Sequence, residues 1–345
     1  MREPRERRPR SLRSSLWLRC DDEASACPGC GSRRLALLDV IHISRGTKGR
    51  RVSFLTGCED CGLLFTNPIP TEEQLERYYA DEGPYRTHKV EVAHARRLER
   101  KTRSRDTERA PRARDLLLES LAPYVAVHEP PPGARVLDFG CGDGKFLNWL
   151  QDRGWETYGI EPSTSVAFRR HCRLTSPPQD ASIDLAILHH VLEHVPDPLG
   201  VLRQLAGALR DGGVLFISLP RLDTLPQHGN FRYCIDGRKH LICLSETCLT
   251  GLLARAGLAT TARLDAQELD DALTEGQPLR LRLVATRTTV PLRLPRAPLV
   301  PAVTALSQYA RARGGLAARL HGMLPVRLRA AVMNRARERA PRRRQ

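Results

Sequence analysis

Val136-Leu-Asp-Phe-Gly140-Cys-Gly142-Asp-Gly144-Lys-Phe-Leu-Asn-Trp149 reads as a short apolar strand, a glycine-rich turn and the start of an amphipathic helix. Glycines at 140, 142 and 144 remove side chains where a backbone must turn tightly and a ligand must come close. The helix that follows aims unpaired N–H groups at whatever lies over the turn. About 20 residues on, the position of an acid in such units, a second apolar strand (Trp155 to Ile160) ends in Glu161. A carboxylate there can accept hydrogen bonds from both hydroxyls of a ribose.

Two ligand classes use this order of strand, turn, helix, strand and acid: dinucleotides and S-adenosylmethionine (SAM). The dinucleotide fingerprint spaces its last two glycines as G-x-x-G and offers pyrophosphate a neutral dipole end. Here the spacing is G-x-G-x-G, with Asp138 and Asp143 beside it. Carboxylates repel a pyrophosphate and suit a cationic amino-acid ligand. The run resembles motif I of class I SAM-dependent methyltransferases, and Glu161 stands at the ribose-binding acid of that family. The resemblance implies an α/β fold with a Rossmann-like seven-stranded sheet. It also implies a cofactor site of Asp138, Gly140, Cys141, Gly142, Gly144 and Glu161, with Asp180 and His189 as further cofactor-binding candidates.

Upstream, Cys27-Pro-Gly-Cys30-Gly and Cys58-Glu-Asp-Cys61-Gly bracket two strand-like runs, Leu35–Ile43 and Arg51–Leu55, with a turn-rich Arg45-Gly-Thr-Lys-Gly49 between them. Two C-x-x-C-G knuckles at this spacing bring four thiolates to one tetrahedral zinc ion. With all four positions filled by protein the metal is structural. His42 is a bystander, and Cys20, Cys141, Cys172, Cys234, Cys243 and Cys248 show no ligand spacing. Thr71 with Gln74 three residues later forms a capping box, so a helix begins there. The continuation Gly62-Leu-Leu-Phe65-Thr-Asn-Pro68-Ile-Pro70, a helix and then Tyr78-Tyr79 resembles the front end of a bacterial group that joins a zinc module to a SAM domain. Members of that group make sugar, polysaccharide and other secondary-metabolite products. The resemblance covers roughly residues 26–285.

Composition sets the outer limits. A chain of 345 residues, 41% hydrophobic, can bury one full α/β domain with smaller pieces. Its apolar runs fall short of the roughly 18–20 residues of a membrane span, and the arginine-rich N-terminus lacks the apolar core of a secretory signal. A cytoplasmic protein is expected. The formal charge of +16 raises nucleic acid as a partner, but 16 basic and 18 acidic residues balance within 135–285. The excess lies in flanks, and residues 286–345 alone hold 14 arginines against one acid. The expected organisation is a disordered basic segment over 1–25, a zinc ribbon over 26–66 and a helical linker or cap over 67–132. A methyltransferase domain over 133–287 and a basic amphipathic extension over 288–345 follow. That extension suits an anionic membrane surface or a helical pack against the domain.

After Glu161 a helix is expected from Ser163 to Arg173, and then a departure. Leu174-Thr-Ser-Pro-Pro-Gln-Asp180-Ala-Ser leads almost directly into the strand Ile183–Leu188. The family has a whole strand and an adenine-contacting acidic loop in this gap. Prolines 177 and 178 exclude a central strand there, so the sheet is expected to lack or shorten its third strand, with Gln179 and Asp180 as substitutes near adenine. His189-His190-Val-Leu-Glu193-His194 then resembles the family's motif after strand four, which lines the methyl-transfer pocket. Methyl transfer from SAM needs alignment and, for a hydroxyl or carbon acid, removal of a proton. Histidine suits that removal near neutral pH. The candidates are His190, His194 and His240, with His228 in the same lid segment, whereas strand alternation is expected to turn His189 away. Some relatives hold a divalent ion on an E-x-x-E-H set at this point; His190 replaces the first acid here.

The resulting expectation is a SAM-dependent methyltransferase acting on a small-molecule or glycan-linked acceptor, with O-methylation ahead of C-methylation. Two rivals stand beside it. One is an RNA or protein methyltransferase gripping its substrate with ribbon and basic flanks. The other is a degenerate, non-catalytic methyltransferase fold.

Overall fold

The structure, a computed structural model, describes residues 26–46, 49–79, 116–162, 171–222, 240–264 and 280–294. The charged stretch before 116, the helix expected from Ser163, His228 and its lid, Cys20, Cys234 and the basic extension beyond 294 lie outside the described residues. So does the side chain of His42.

The quoted stretch forms β4 (Arg135–Phe139), the glycine turn and a short helix α2 (Lys145–Gln151). Strand alternation sorts the flanking strands into two apolar layers. Val136, Leu185, Ile187, Val214, Phe216 and Val284 face one way and bury Leu147, Trp149 and Leu150 of α2. Leu137, Ala186, Leu188, Leu215, Ile217, Leu281 and Leu283 face the other. A sheet buried on both faces needs near-continuous apolar strands, and β7 (Ile183–His189) and β8 (Leu209–Pro220) supply them.

Seven strands form this sheet in the order β10-β11-β8-β7-β4-β5-β6. The added members are β5 (Glu156–Ile160), β6 (Cys172–Leu174), β10 (Leu258–Arg263) and β11 (Arg280–Arg287). Neighbours from β6 through β8 are parallel, and β11 runs antiparallel to both β8 and β10. Strand order reverses at β4, which has β5 on one side and β7 on the other, and a crevice for a ligand opens at such a switch point.

The third strand is present and short. It is β6, paired with Tyr158–Ile160 of β5, so it comes before Pro177 and Pro178 and avoids them. The expected helix therefore cannot extend to Arg173, which is itself a strand residue. Arg173 also donates to the backbone carbonyl of Glu161 at 2.7 Å, bracing the end of β5.

A second sheet has the order β1-β2-β3-β9, from β1 (Leu35–Gly46), β2 (Gly49–Cys58), β3 (Leu64–Asn67) and β9 (Ile242–Cys243). Its fourth strand comes from far along the chain, just before helix α4 (Glu246–Arg255). Helix α1 (Glu72–Tyr79) opens with both halves of the capping box: Gln74 N–H donates to Thr71 Oγ1 at 3.3 Å and Thr71 N–H to Gln74 Oε1 at 3.1 Å. Cys27, Cys58, Leu63 and Phe65 share one apolar cluster with Leu137, Leu192, Leu249 and Leu252. The cysteine knuckles are thus built into the larger domain. Among the described residues no helix is long and apolar enough to cross a membrane.

Candidate active site

The glycine turn is anchored from below. Gly140 and Cys141 both donate their N–H to the carbonyl of Ile160, at 2.7 and 3.1 Å, and Gly142 N–H donates to Glu161 Oε2 at 2.9 Å. Gly140 has φ +80°, and a Cβ built there would meet Val191 Cγ2 at 2.4 Å, so conformation and space both demand glycine. Asp138, the last buried position of β4, is 2% exposed. Burial and then the Glu161 carboxylate push its carboxyl up to about 8. Burial, with the same two acids adding to it, pushes the Cys141 thiol up to about 12, so it stays neutral. Asp143 pairs on the surface with Lys145 at 2.7 Å. Asp138, Gly140, Cys141, Gly142 and Glu161 thus meet around one crevice, and Gly144 closes the turn as the left-handed N-cap of α2.

Asp180 does not join them. Its charge is felt at Arg135, the first residue of β4, which pairs with Glu156, the first residue of β5. Gln179 donates to the carbonyl of Gln204 in helix α3 (Pro198–Ala208). Both residues therefore lie toward the edge of the parallel strands opposite the glycine turn. The chain has already made its third strand by Leu174, and by residue 180 it has returned to start β7.

The other side of the crevice is made where β7 ends. His190 takes φ +56°, a left-handed conformation that is strained for a histidine, while its N–H donates to the carbonyl of Ser218 at 2.8 Å. His190 Nδ1 lies 3.0 Å from Glu193 Oε1. Glu193 is 1% exposed and sits in the one-turn helix Leu192–His194. With Nδ1–H donating to the carboxylate, Nε2 carries the lone pair; it is buried and has no partner among the described residues. The left-handed turn, unforeseen from the pattern, sets this geometry. Burial holds the His190 imidazole well below its ordinary pKa, with Arg280, His194 and Arg282 adding to the effect. Burial pushes the Glu193 carboxyl up.

His194 and His240 face each other with ring centroids 4.8 Å apart, and Glu193, His194 and His240 each bring one ligand atom within 4.8 Å of the others. Leu241 N–H donates to the Glu193 carbonyl at 2.7 Å, tying His240 to this turn. The structure therefore brings His190, His194 and His240 into one cluster. His189, expected among the cofactor-binding residues, is not turned away by strand alternation: its ring packs edge-on to Phe146 of α2 at 5.0 Å and to His190 at 4.7 Å, so it borders the crevice. Burial, with His190 next, holds its pKa well below the ordinary value.

The four knuckle sulfurs lie within 4.8 Å of one another, with Cys27–Cys61 and Cys30–Cys58 each at 3.6 Å. A tetrahedral zinc with Zn–S of about 2.3 Å spaces its sulfurs about 3.8 Å apart, so the donor set fits that ion. Sequence spacing missed a fifth thiol: Cys248, at the capped start of α4, hydrogen-bonds Cys61 and is the first of the groups that favour its thiolate. Spacing also passed over Ser218, Arg280 and Arg282. The trace they leave in the sequence is charge and hydroxyl at inward positions of otherwise apolar strands.

This sheet order, with a glycine turn and acid at its switch point, defines the class: an α/β domain of the SAM-dependent methyltransferase type. Residues 105–262 match the family described as "Methyltransferase domain". The chain is 34% identical over 111 residues to the ubiquinone biosynthesis O-methyltransferase of Xanthomonas campestris pv. campestris strain B100, covering 28% of this chain and 46% of that protein. It is 34% identical over 103 residues to the protein of the same name from Idiomarina loihiensis, covering 25% and 42%. The chain thus spans less than half the length of these curated relatives. Among solved structures it is similar to a SAM-dependent methyltransferase from Mesorhizobium loti (19% identity, TM-score 0.41, 51% of this chain and 98% of that one). It is also similar to the 1,6-didemethyltoxoflavin-N1-methyltransferase of Burkholderia thailandensis (15% identity, TM-score 0.40, 72% and 99%).

Proposed function

We propose that this protein is an SAM-dependent methyltransferase that methylates a hydroxyl oxygen of a small molecule, with a structural zinc ion held by Cys27, Cys30, Cys58 and Cys61. The observation that carries the reading is the pairing of an intact cofactor turn with a polarised histidine across the same crevice. Bound SAM would supply an activated methyl group on a sulfonium. Gly140, Gly142 and Gly144 let the backbone approach it, Glu161 would accept from its ribose, and Asp138 offers a carboxylate to its cationic amino-acid end. His190 Nε2 takes the acceptor proton, and Glu193 orients the ring and stabilises the imidazolium that forms. The name of the curated relatives supports transfer to oxygen. A glycan-linked acceptor is supported by the resemblance of the zinc-ribbon front end alone.

Calorimetric titration of SAM tests the cofactor site. Micromolar binding is expected for the wild type, and none for Gly142→Arg or Glu161→Ala. A folded, zinc-loaded protein that binds no SAM would instead favour the non-catalytic fold.

The Asp138 carboxyl, pushed up to about 8, makes binding pH-dependent. In the free protein it holds a proton at pH 7, and a cationic ligand favours the carboxylate, so binding releases that proton. Affinity should rise with pH by up to about tenfold per unit between pH 6 and 8 and level off above. Calorimetry in buffers of different ionisation enthalpy reads the proton count directly; Asp138→Asn should flatten the curve.

A second reading rests on Glu193 Oε2, buried without a partner among the described residues: a divalent ion on Glu193, His194 and His240 that would bind acceptor oxygens. Mild chelation that leaves ribbon zinc in place separates the two. Loss of transfer, restored by added magnesium or manganese, would favour the ion over the free base.

A further inference from the structure

Helix α4 lies across both cysteine knuckles. A Cβ built on Gly29, inside the first knuckle, would meet Leu252 Cδ2 at 3.0 Å and, at 3.0 Å as well, Cδ2 of Leu63, just past the second knuckle. One helical turn before Leu252, and so on the same face, stands Cys248, whose side chain hydrogen-bonds the Cys61 sulfur. Ser245 Oγ accepts from Cys248 N–H at 3.2 Å, which fixes the backbone beneath that side chain. Two residues before this cap, Cys243 of β9 pairs with Leu64 of β3. Strand and helix therefore meet the ribbon as one unit.

Cys248 is a fifth sulfur at the site, and it stands outside the ligand set. The four knuckle cysteines alone form the group whose sulfurs all lie within 4.8 Å of one another, and four thiolates complete a tetrahedral zinc ion. Cys248 is a free thiol, 1% exposed, in the same apolar cluster as Cys27, Cys58 and Cys61. A buried free cysteine often serves only as a small apolar side chain. What sets this one apart is the destination of its S–H. A zinc-bound cysteine is deprotonated and can only accept, so in the loaded site the proton of this bond belongs to Cys248.

We propose that Cys248 is an outer donor of the zinc site: its S–H donates to the zinc-bound Cys61 sulfur, strengthens the hold on the metal and ties helix α4 to the ion. This rests on the zinc reading above and deepens it. Four thiolates bring more negative charge than one divalent ion neutralises, and a donated hydrogen bond offsets part of the excess. Groups that hydrogen-bond a metal's ligands also orient them, and are worth about 10- to 100-fold in metal affinity.

The test compares the full-length wild type with Cys248→Ser and Cys248→Ala. Both variants remove the sulfur, and serine alone keeps a donor. Zinc affinity is read by competition with a chelator, and the cobalt(II)-substituted protein by its thiolate-to-metal charge-transfer absorption. The wild type should show the spectrum of a tetrahedral four-thiolate site. Cys248→Ala should keep four thiolates, bind zinc at least about tenfold more weakly, and move the charge-transfer band to longer wavelength, because a thiolate without its donor releases electrons more readily. Cys248→Ser should recover most of the affinity and return the band toward its wild-type position. Equal affinity and spectra in all three proteins, or a serine variant that behaves as the alanine variant does, would overturn the proposal and leave the zinc reading standing. A spectrum with one thiolate fewer in Cys248→Ala would overturn it by making Cys248 a ligand. Should the alanine variant not fold, hydrogen exchange of the wild type decides: stripping the zinc should cost protection over 246–252, and unchanged protection there would sink the tie to helix α4. A wild type without a four-thiolate cobalt spectrum would overturn the zinc reading itself, and this proposal with it.

Discussion

Replacing His190 with asparagine should lower the rate of methyl transfer about 10²- to 10⁴-fold, the usual worth of a positioned general base, and leave SAM affinity unchanged. Asparagine is the informative substitution because it tolerates the left-handed backbone that His190 adopts, so the turn into Glu193 survives. The readout is labelled-methyl transfer under saturating SAM. In the wild type the imidazole is held well below its ordinary pKa of 6.5 by burial and by the neighbouring cations. The proposed base is therefore already neutral at pH 7, and kcat should be flat there and fall only at pH below 6.5. His190→Asn should abolish that lower limb. Glu193→Gln should cost less, because it removes the carboxylate that orients the ring and keeps the base itself. The same shift has a sign for stability. The unfolded chain binds a proton on this residue below pH 6.5 and the folded chain does not, so the contribution is full above 6.5 and is lost as pH falls below it. An unchanged rate in His190→Asn would transfer the role to the ion reading at Glu193, His194 and His240.

Loss of the proposed zinc ion should disable the acceptor side and spare the cofactor side. Cys58→Ser, at a fully buried position, should release the metal, whose binding is worth on the order of 10–16 kcal/mol of folding free energy in small zinc modules. The cysteine knuckles' sheet is linked to the turn at Glu193 by two hydrogen bonds through one residue: Thr66 N–H donates to the Leu241 carbonyl at 2.8 Å, and Leu241 N–H to the Glu193 carbonyl at 2.7 Å. Strand β9 adds its pairing with Leu64 and Phe65. With β3 unanchored, His240 loses its fixed place beside His194. Hydrogen exchange should show lost protection over 240–243 and 192–195, with the segment 136–142 unchanged and SAM still bound. Collapse of protection across the whole sheet would show that the ribbon supports global folding instead.

The parts that local sequence determined are those whose physics is local. Three glycines between an apolar strand and a helix, with an acid after the next strand, can be read because a turn and its spacing are properties of neighbouring residues. The knuckle cysteines are legible for the same reason, as are the capping box at Thr71 and the apolar strand Ile183–Leu188. The tertiary structure alone decided what depends on register and return paths. Parallel strands are joined by distant crossovers, so nothing near Ser218 in the chain says that it lies between His189 and Arg282. The placement of Asp180 at the wrong edge and of β6 ahead of the prolines follows from where the chain re-enters the sheet. The joining of ribbon to active site hangs on two residues of β9, too few to leave a pattern. The proposed base, finally, is placed by a left-handed His190, whose N–H donates to the Ser218 carbonyl beside a Val191 packed on Gly140.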